Sequence, residues 1–385
     1  MHDIALWLAL ASLAAWLYLL AGRGGFWRCT EILAGVDREP SRWPDVVAVI
    51  PARNEAELIG ACLASLARQD YPAGFSVVLV DDNSYDETSS AARGAWPESG
   101  LDIVSGAALA KDWTGKLWAL NQGVARAAEI DPEAEFIWFT DADIEHDPDI
   151  LSRLVAKAEC DGRDLVSTMV LLNCRAFWER LLIPAFVFFF QKLYPFSWVN
   201  DPRNAMAAAA GGSLLIRRAA LARIGGVNAI RNELIDDCAL ARAVKRDGDI
   251  WLGLTDSSRS LRPYETLSEI WSMVTRTAFH QLGYSGLMMI GAVLAMVLIY
   301  LAPAGVILAW PLHGDPWALG VSTAAFLAMT IAYAPGLQLY GHGAARGVLL
   351  PVAALCYTAM TMDSARRHWL GRGGSWKSRF HAPGG

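Results

Sequence analysis

The chemically loaded part of this sequence is a set of charged residues placed directly after apolar runs. Asp141-Ala142-Asp143 follows Phe136-Ile137-Trp138-Phe139-Thr140. Two carboxylates at the end of a buried strand, brought to one side by a turn, can hold Mg²⁺ or Mn²⁺ while phosphate oxygens fill the remaining positions. Such an ion offsets the charge that grows on a departing diphosphate. Acidic triplets also serve as ordinary turns, and the chain has two more, Asp147-Pro148-Asp149 and Asp247-Gly248-Asp249. The first reads as a helix cap at Asp147 with proline at the first helical position, the second as a helix-ending turn. Asp141 and Asp143 are therefore the metal candidates. Glu233-Leu234-Ile235-Asp236-Asp237 opens a further helix. Acids in a first turn answer the helix dipole, and one aimed into a cleft also makes a general base.

Three other stretches carry candidates, one near a helix start and two directly after apolar runs. In Thr114-Gly115-Lys116-Leu117, Lys116 is either a solvated surface charge or, beside a diphosphate, a counter-charge reinforced by a helix N-terminus. In Pro51-Ala52-Arg53-Asn54-Glu55, Asn54 with Glu57 makes a capping box for a helix over about 56–68, or the loop lies beside a nucleotide. Asp81-Asp82-Asn83-Ser84 contains the turn formers a helix start needs. The paired carboxylate exceeds that need, and Asp82 is well placed to accept from a base N–H or a ribose hydroxyl.

The elements that must position these residues are short β-branched or aromatic runs at 46–50, 77–80, 136–140 and 165–170, alternating with helical stretches. That alternation predicts an α/β fold with a mainly parallel sheet covered on both faces, whose ligands bind where loops leave the carboxyl ends of strands. The chain has 385 residues, 54% hydrophobic and 19% charged, which excludes a disordered tail. A net charge of −6 gives no surplus for neutralising phosphates, so nucleic acid is not an expected partner. Six scattered cysteines without a CxxC pair signal neither zinc nor a disulfide framework.

The apolar surplus is clustered at the ends. Residues 4–20 carry no charge and are followed by Arg23 and Arg28, which predicts an uncleaved anchor with the following chain on the cytoplasmic side. Residues 286–310, 317–340 and a shorter 347–362 containing Pro351 form the second block. The basic sequel Arg366, Arg367, Arg372, Lys377 and Arg379 prefers the cytoplasm, which three full crossings would not allow. One segment is therefore expected to be re-entrant or interfacial. The divisions are an anchor at 1–22, a linker at 23–45, a catalytic domain at 46–263, an amphipathic connector at 264–285, a membrane region at 286–362 and a basic tail at 363–385.

In order and as a set, the five polar features resemble the inverting family 2 glycosyltransferases, whose nucleotide-diphospho-sugar transferase fold is GT-A. The resemblance covers 46 to about 255 and implies roles for matching residues. Pro51, Ala52, Asn54, Glu55 and Asp82 would hold the nucleotide of a nucleotide-sugar donor, with Lys116 and Asp141 near its diphosphate. Asp141 and Asp143 would bind a divalent metal, Mg or Mn. Asp237 would be the base with Asp236 as fallback, since neighbours on a helix point about 100° apart and only one faces the cleft. Asp236 stands where the family more often has glutamate. His280-Gln281-Leu282-Gly283-Tyr284 lacks the Arg and Trp of the motif that processive membrane synthases carry there. The anchor, Phe188-Phe189-Phe190-Gln191, Tyr194-Pro195-Phe196, Asn200-Asp201 and the tail Gly371-Arg372-Gly373-Gly374-Ser375-Trp376-Lys377 look like the bacterial hopanoid-biosynthesis-associated glycosyltransferases. This implies the bacterial inner membrane, multi-pass, with the catalytic domain facing the cytoplasm.

A lipid acceptor also follows from the residues. Residues 181–190 are apolar, too short to span and interrupted by Pro184. They form either a buried helix or, with Phe188, Phe189, Phe190 and Trp198, an interfacial segment over 181–199 that contacts the bilayer. The expected reaction is sugar transfer to a lipid hydroxyl with inversion. Transfer to a polyprenyl phosphate and a silent membrane scaffold of the same fold are the alternatives.

Overall fold

A computed structural model describes residues 2–36, 38–96, 100–371, 375–376 and 379–380. The chain forms two compact units, one of Met1–Thr30, Cys174–Ser197 and Tyr264–Gly374, the other of Glu31–Asn173, Trp198–Pro263 and Ser375–Gly385. The expected domain at 46–263 is thus interrupted, because 174–197 packs among the apolar helices.

The second unit is built on β1 (Val46–Ala52), β2 (Phe75–Asp81), β3 (Leu101–Ser105), β4 (Phe136–Thr140), β5 (Ile144–His146), β6 (Leu165–Leu171), β7 (Ser213–Arg217) and β8 (Ile250–Ser260). They lie in the order β3-β2-β1-β4-β7-β6-β8-β5. β1 runs parallel to β2 and β4, β2 to β3, and β6 to β8. β7 is antiparallel to both its neighbours, as β5 is to β8. All of β1 and β4 is buried, as continuous apolar strands covered on both faces must be. Ile50, Ile59, Leu63, Leu79, Trp138 and Leu154 share one core. Helix Gly115–Ile130 packs on β1 and β2, and a Cβ at Gly123 would stand 2.3 Å from Val49 Cγ1. Only glycine permits that approach, and it brings the N-terminal turn of this helix to the sheet end.

Two expected caps are corrected. Asn54 has φ 53 and belongs to the loop, so the helix expected over 56–68 spans Ile59–Leu66 and starts at Leu58 without a side-chain cap. Asp147 pairs with Arg259 at 3.2 Å, and the residue preceding helix Ile150–Cys160 is Asp149, which pairs with Arg153 at 2.5 Å.

Among the described residues, the first unit contains four helices long and apolar enough to cross a membrane, Asp3–Ala21, Gly286–Leu308, Pro316–Leu339 and Ala344–Trp369. The last is 26 residues long, where the sequence suggested a short segment. Pro351 falls in the first turn of helix Leu350–Trp369, where its missing N–H leaves no bond unmade. Helix Phe177–Leu193 likewise runs through Pro184 unbroken. Phe188 is 2% exposed, in a core with Trp16, Tyr300, Tyr333 and Tyr357, its ring 5.3 Å from Phe26 and 5.2 Å from Tyr333. Burial among protein side chains replaces the bilayer contact expected for Phe188. Phe189 and Phe190 are half-buried, and Trp198 belongs to the α/β unit, where its carbonyl accepts from Lys245 Nζ at 3.3 Å. Helix Leu267–Gln281 falls within 264–285, is capped by Thr266 and buries Ile270, Val274 and Phe279. Arg372 and Lys377 of the basic tail lie outside the described residues.

Candidate active site

Thr114 caps helix Gly115–Ile130, its Oγ1 accepting from Leu117 N–H at 3.4 Å, so Lys116 stands in the first turn. Its Nζ lies 2.9 Å from Asp141 Oδ1 and 3.3 Å from Asp236 Oδ2. These residues line one cleft with Pro51, Gly211 and Asp237 over an apolar floor that includes Phe139 and Leu240. Asp141 arrives from the end of β4, and Asp236 and Asp237 arrive as the first turn of helix Asp236–Val244. Lys116, Asp141, Asp236 and Asp237 therefore converge from three strand or helix ends, as an α/β sheet directs.

Electrostatics separates the two neighbouring aspartates. Asp237 Oδ1 accepts from Cys238 N–H at 2.7 Å. Oδ2 faces Gly211, where an added Cβ would lie 3.4 Å from it and 3.3 Å from Lys116 Nζ. Burial, then repulsion from Asp236, push the Asp237 carboxyl up to about 7, with Lys116 opposing. Asp236 instead spends an oxygen on Lys116. Burial raises the Asp141 pKa above the usual carboxylate range, against the pull of Lys116. Burial disfavours the Lys116 ammonium, but Asp141, Asp236 and Asp237 outweigh it and hold its pKa above the ordinary value.

The turn that presents Asp141 is fixed from beneath. Thr140 Oγ1 donates to Gly212 O at 3.0 Å and lies 2.8 Å from His146 Nε2. His146 Nδ1 lies 2.9 Å from Ser258 Oγ. Burial pushes the His146 pKa down to about 3, so the imidazole is neutral and structural. Asp143 Oδ2 accepts from Arg262 Nε at 2.6 Å, and Arg262 Nη2 donates to both oxygens of Glu55 at 2.7 and 2.6 Å.

Four of the expected donor-binding residues stand outside this cleft lining. Glu55 is engaged by Arg262. Ala52 and Asp82 are fully buried, and the Asp82 carboxylate is 4.0 Å from Arg53 Nη1. Asn54 ties its loop to the next: its N–H donates to Ser84 Oγ at 3.0 Å and its Oδ1 accepts from Tyr85 N–H at 3.1 Å. Sequence reasoning missed Arg262, Gly211 and the Thr140–His146 network. Arg262 is 119 residues from Asp143 and 207 from Glu55, and no spacing rule links positions so distant.

Among the described residues no three His, Cys, Asp or Glu side chains gather into a metal cage. Asp141 and Asp143 supply hard oxygen donors, and Mg²⁺ is commonly held by one or two carboxylates together with substrate phosphates. The donor set thus fits an ion that binds along with a diphosphate.

Residues 47–225 match the family model described as Glycosyl transferase family 2. A stretch of 96 residues is 38% identical to the 4,4'-diaponeurosporenoate glycosyltransferase of Staphylococcus aureus (strain bovine RF122 / ET3-1), covering 25% of this chain and 23% of that protein. The chain thus spans under a quarter of the length of the curated relatives it matches. The solved mannosyltransferase PcManGT from Pyrobaculum calidifontis, in complex with GDP-Man and Mn²⁺, aligns over 96% of this chain and 98% of its own, with 22% identity and a TM-score of 0.52. That likeness is one of fold. The chain contains a glycosyl transferase family 2 domain with the GT-A fold.

Proposed function

We propose that the protein transfers a sugar from a nucleoside-diphosphate donor to the hydroxyl of a membrane lipid, with inversion at the anomeric carbon. The observation that carries this reading is Asp237, a carboxylate in the cleft with one oxygen held by Cys238 N–H, the other beside Gly211, and a pKa near 7. A group poised near the working pH takes a proton most effectively. Removing the acceptor's proton as the hydroxyl oxygen attacks the anomeric carbon gives a single displacement, hence inversion. Lys116, in a helix first turn, supplies positive charge for the donor's diphosphate once it is released from Asp141 and Asp236. A Mg²⁺ or Mn²⁺ held by Asp141 and Asp143 would stabilise charge on the departing nucleoside diphosphate.

Four long apolar helices support a membrane-resident acceptor, with the protein multi-pass in a bacterial inner membrane and the catalytic unit facing the cytoplasm. A hopanoid is the first acceptor to test, on the resemblance of the Phe188 to Gln191 and Asn200-Asp201 stretches. A polyprenyl phosphate is already ionised and has no use for a base at Asp237. The test is to incubate the purified full-length protein with a panel of nucleotide sugars, Mn²⁺ and membrane lipid extract, and to search for a new glycolipid by mass. Donor-dependent formation of one is expected. Products only on polyprenyl phosphate, or none with any donor, would reject the hydroxyl reading.

A further inference from the structure

The structure assigns Arg262 as the positioning residue of the metal-binding carboxylate Asp143, a role that rests on the reading of Asp141 and Asp143 as the metal pair. Arg262 follows β8 directly, and its site is locked at backbone level: Leu261 N–H donates to Asp143 O at 2.7 Å, next to the β5–β8 ladder in which Ile144 pairs with Ser260. The guanidinium then uses both sides of its fork. One side takes both oxygens of Glu55, which is 9% exposed, and Nε takes Asp143 Oδ2. Asp143 Oδ1 has no hydrogen-bond partner among the described residues. Arg262 therefore fixes the carboxylate's rotation through one oxygen and leaves the other to bind.

Glu55 explains why this cation does not simply neutralise Asp143. One guanidinium is shared between two carboxylates, Nη2 with Glu55 and Nε with Asp143, so the trio keeps a net negative charge that attracts a divalent ion. Carboxylates that ligate metals are characteristically oriented by hydrogen bonds from behind, and losing such a partner costs about 10- to 100-fold in metal affinity. A lysine cannot reproduce the fork, since its ammonium is a point charge without planar geometry.

The test is Mn²⁺ affinity of the full-length protein in detergent, read from the electron-paramagnetic signal of free Mn²⁺, with GDP and UDP as probes. Arg262→Gln is expected to weaken Mn²⁺ binding about 10- to 100-fold, with Arg262→Lys between it and the native protein and melting temperature recorded for each. Asp143→Asn should lose affinity too, and adding Arg262→Gln to it should cost nothing further, because Arg262 acts only through Asp143. Independent, multiplying losses in the double variant, or Arg262→Gln and Arg262→Lys both binding as the native protein does, would overturn the assignment. Native protein that fails to bind Mn²⁺ with either diphosphate would overturn the metal reading itself, and this assignment with it.

Discussion

Asp237→Asn should separate catalysis from folding. The amide keeps the acceptor that Cys238 N–H uses at 2.7 Å but cannot take a proton, so single-turnover transfer should fall by about 10² to 10⁴ while donor and Mn²⁺ still bind. Stability should move the other way. The Asp237 pKa rises from 3.8 to about 7 on folding; at about 1.4 kcal/mol per unit that is about 4 kcal/mol against the folded state. Screening by solvent at the cleft reduces it to about 1–2 kcal/mol. The sign follows from linkage: near pH 4 and below, folded and unfolded chains both hold the proton and the substitution is neutral. From pH 4 to 7 the unfolded chain has lost the proton and the folded chain retains it, so the native protein loses stability as pH rises; above 7 the whole cost stands. Asp237→Asn should therefore melt higher than the native protein at pH 8 and level with it at pH 4. The assay is a pair of thermal melts at these pH values beside single-turnover transfer. Equal melting at pH 8, or near-normal transfer, would refute the assignment of a buried base to Asp237.

Asp141→Asn should weaken Mn²⁺-dependent donor binding about 10-fold or more by removing a hard anionic ligand, whereas Asp149→Asn and Asp249→Asn should leave it unchanged; calorimetric titration of donor with Mn²⁺ measures this, and equal losses at all three positions would contradict the choice of triplet. Gly211→Ala places a methyl 3.3 Å from Lys116 Nζ and 3.4 Å from Asp237 Oδ2, a displacement of catalytic groups that should cost roughly 10-fold in single-turnover transfer with an unchanged melting temperature. Phe188→Ser should destabilise by about 3 kcal/mol or more, as for other large buried side chains, because Phe188 is 2% exposed; half-buried Phe190→Ser should cost distinctly less in melts in the same detergent.

The sequence by itself determined the strands, the loops at their ends and the acids those loops carry. Short, continuous, β-branched or aromatic runs such as 46–50 and 136–140 fit strands buried on both faces, and the residue after such a run sits at the carboxyl end of the strand. Asp141 was legible for that reason, and Lys116, Asp236 and Asp237 because they stand at helix starts. Local chemistry misled where several local solutions were open. Asn54 could cap a helix or enter the left-handed region, and its contacts with Ser84 and Tyr85 decided for the loop. Phe188 could face lipid or protein, and packing against Phe26 and Tyr333 decided for protein. Arg262 was invisible because its meaning lies in partners 119 and 207 residues away. Hydrophobic periodicity and capping are properties of neighbours in sequence. Which oxygen of Asp143 is held, and which is left to bind, depends on chain segments that meet only when the sheet has closed.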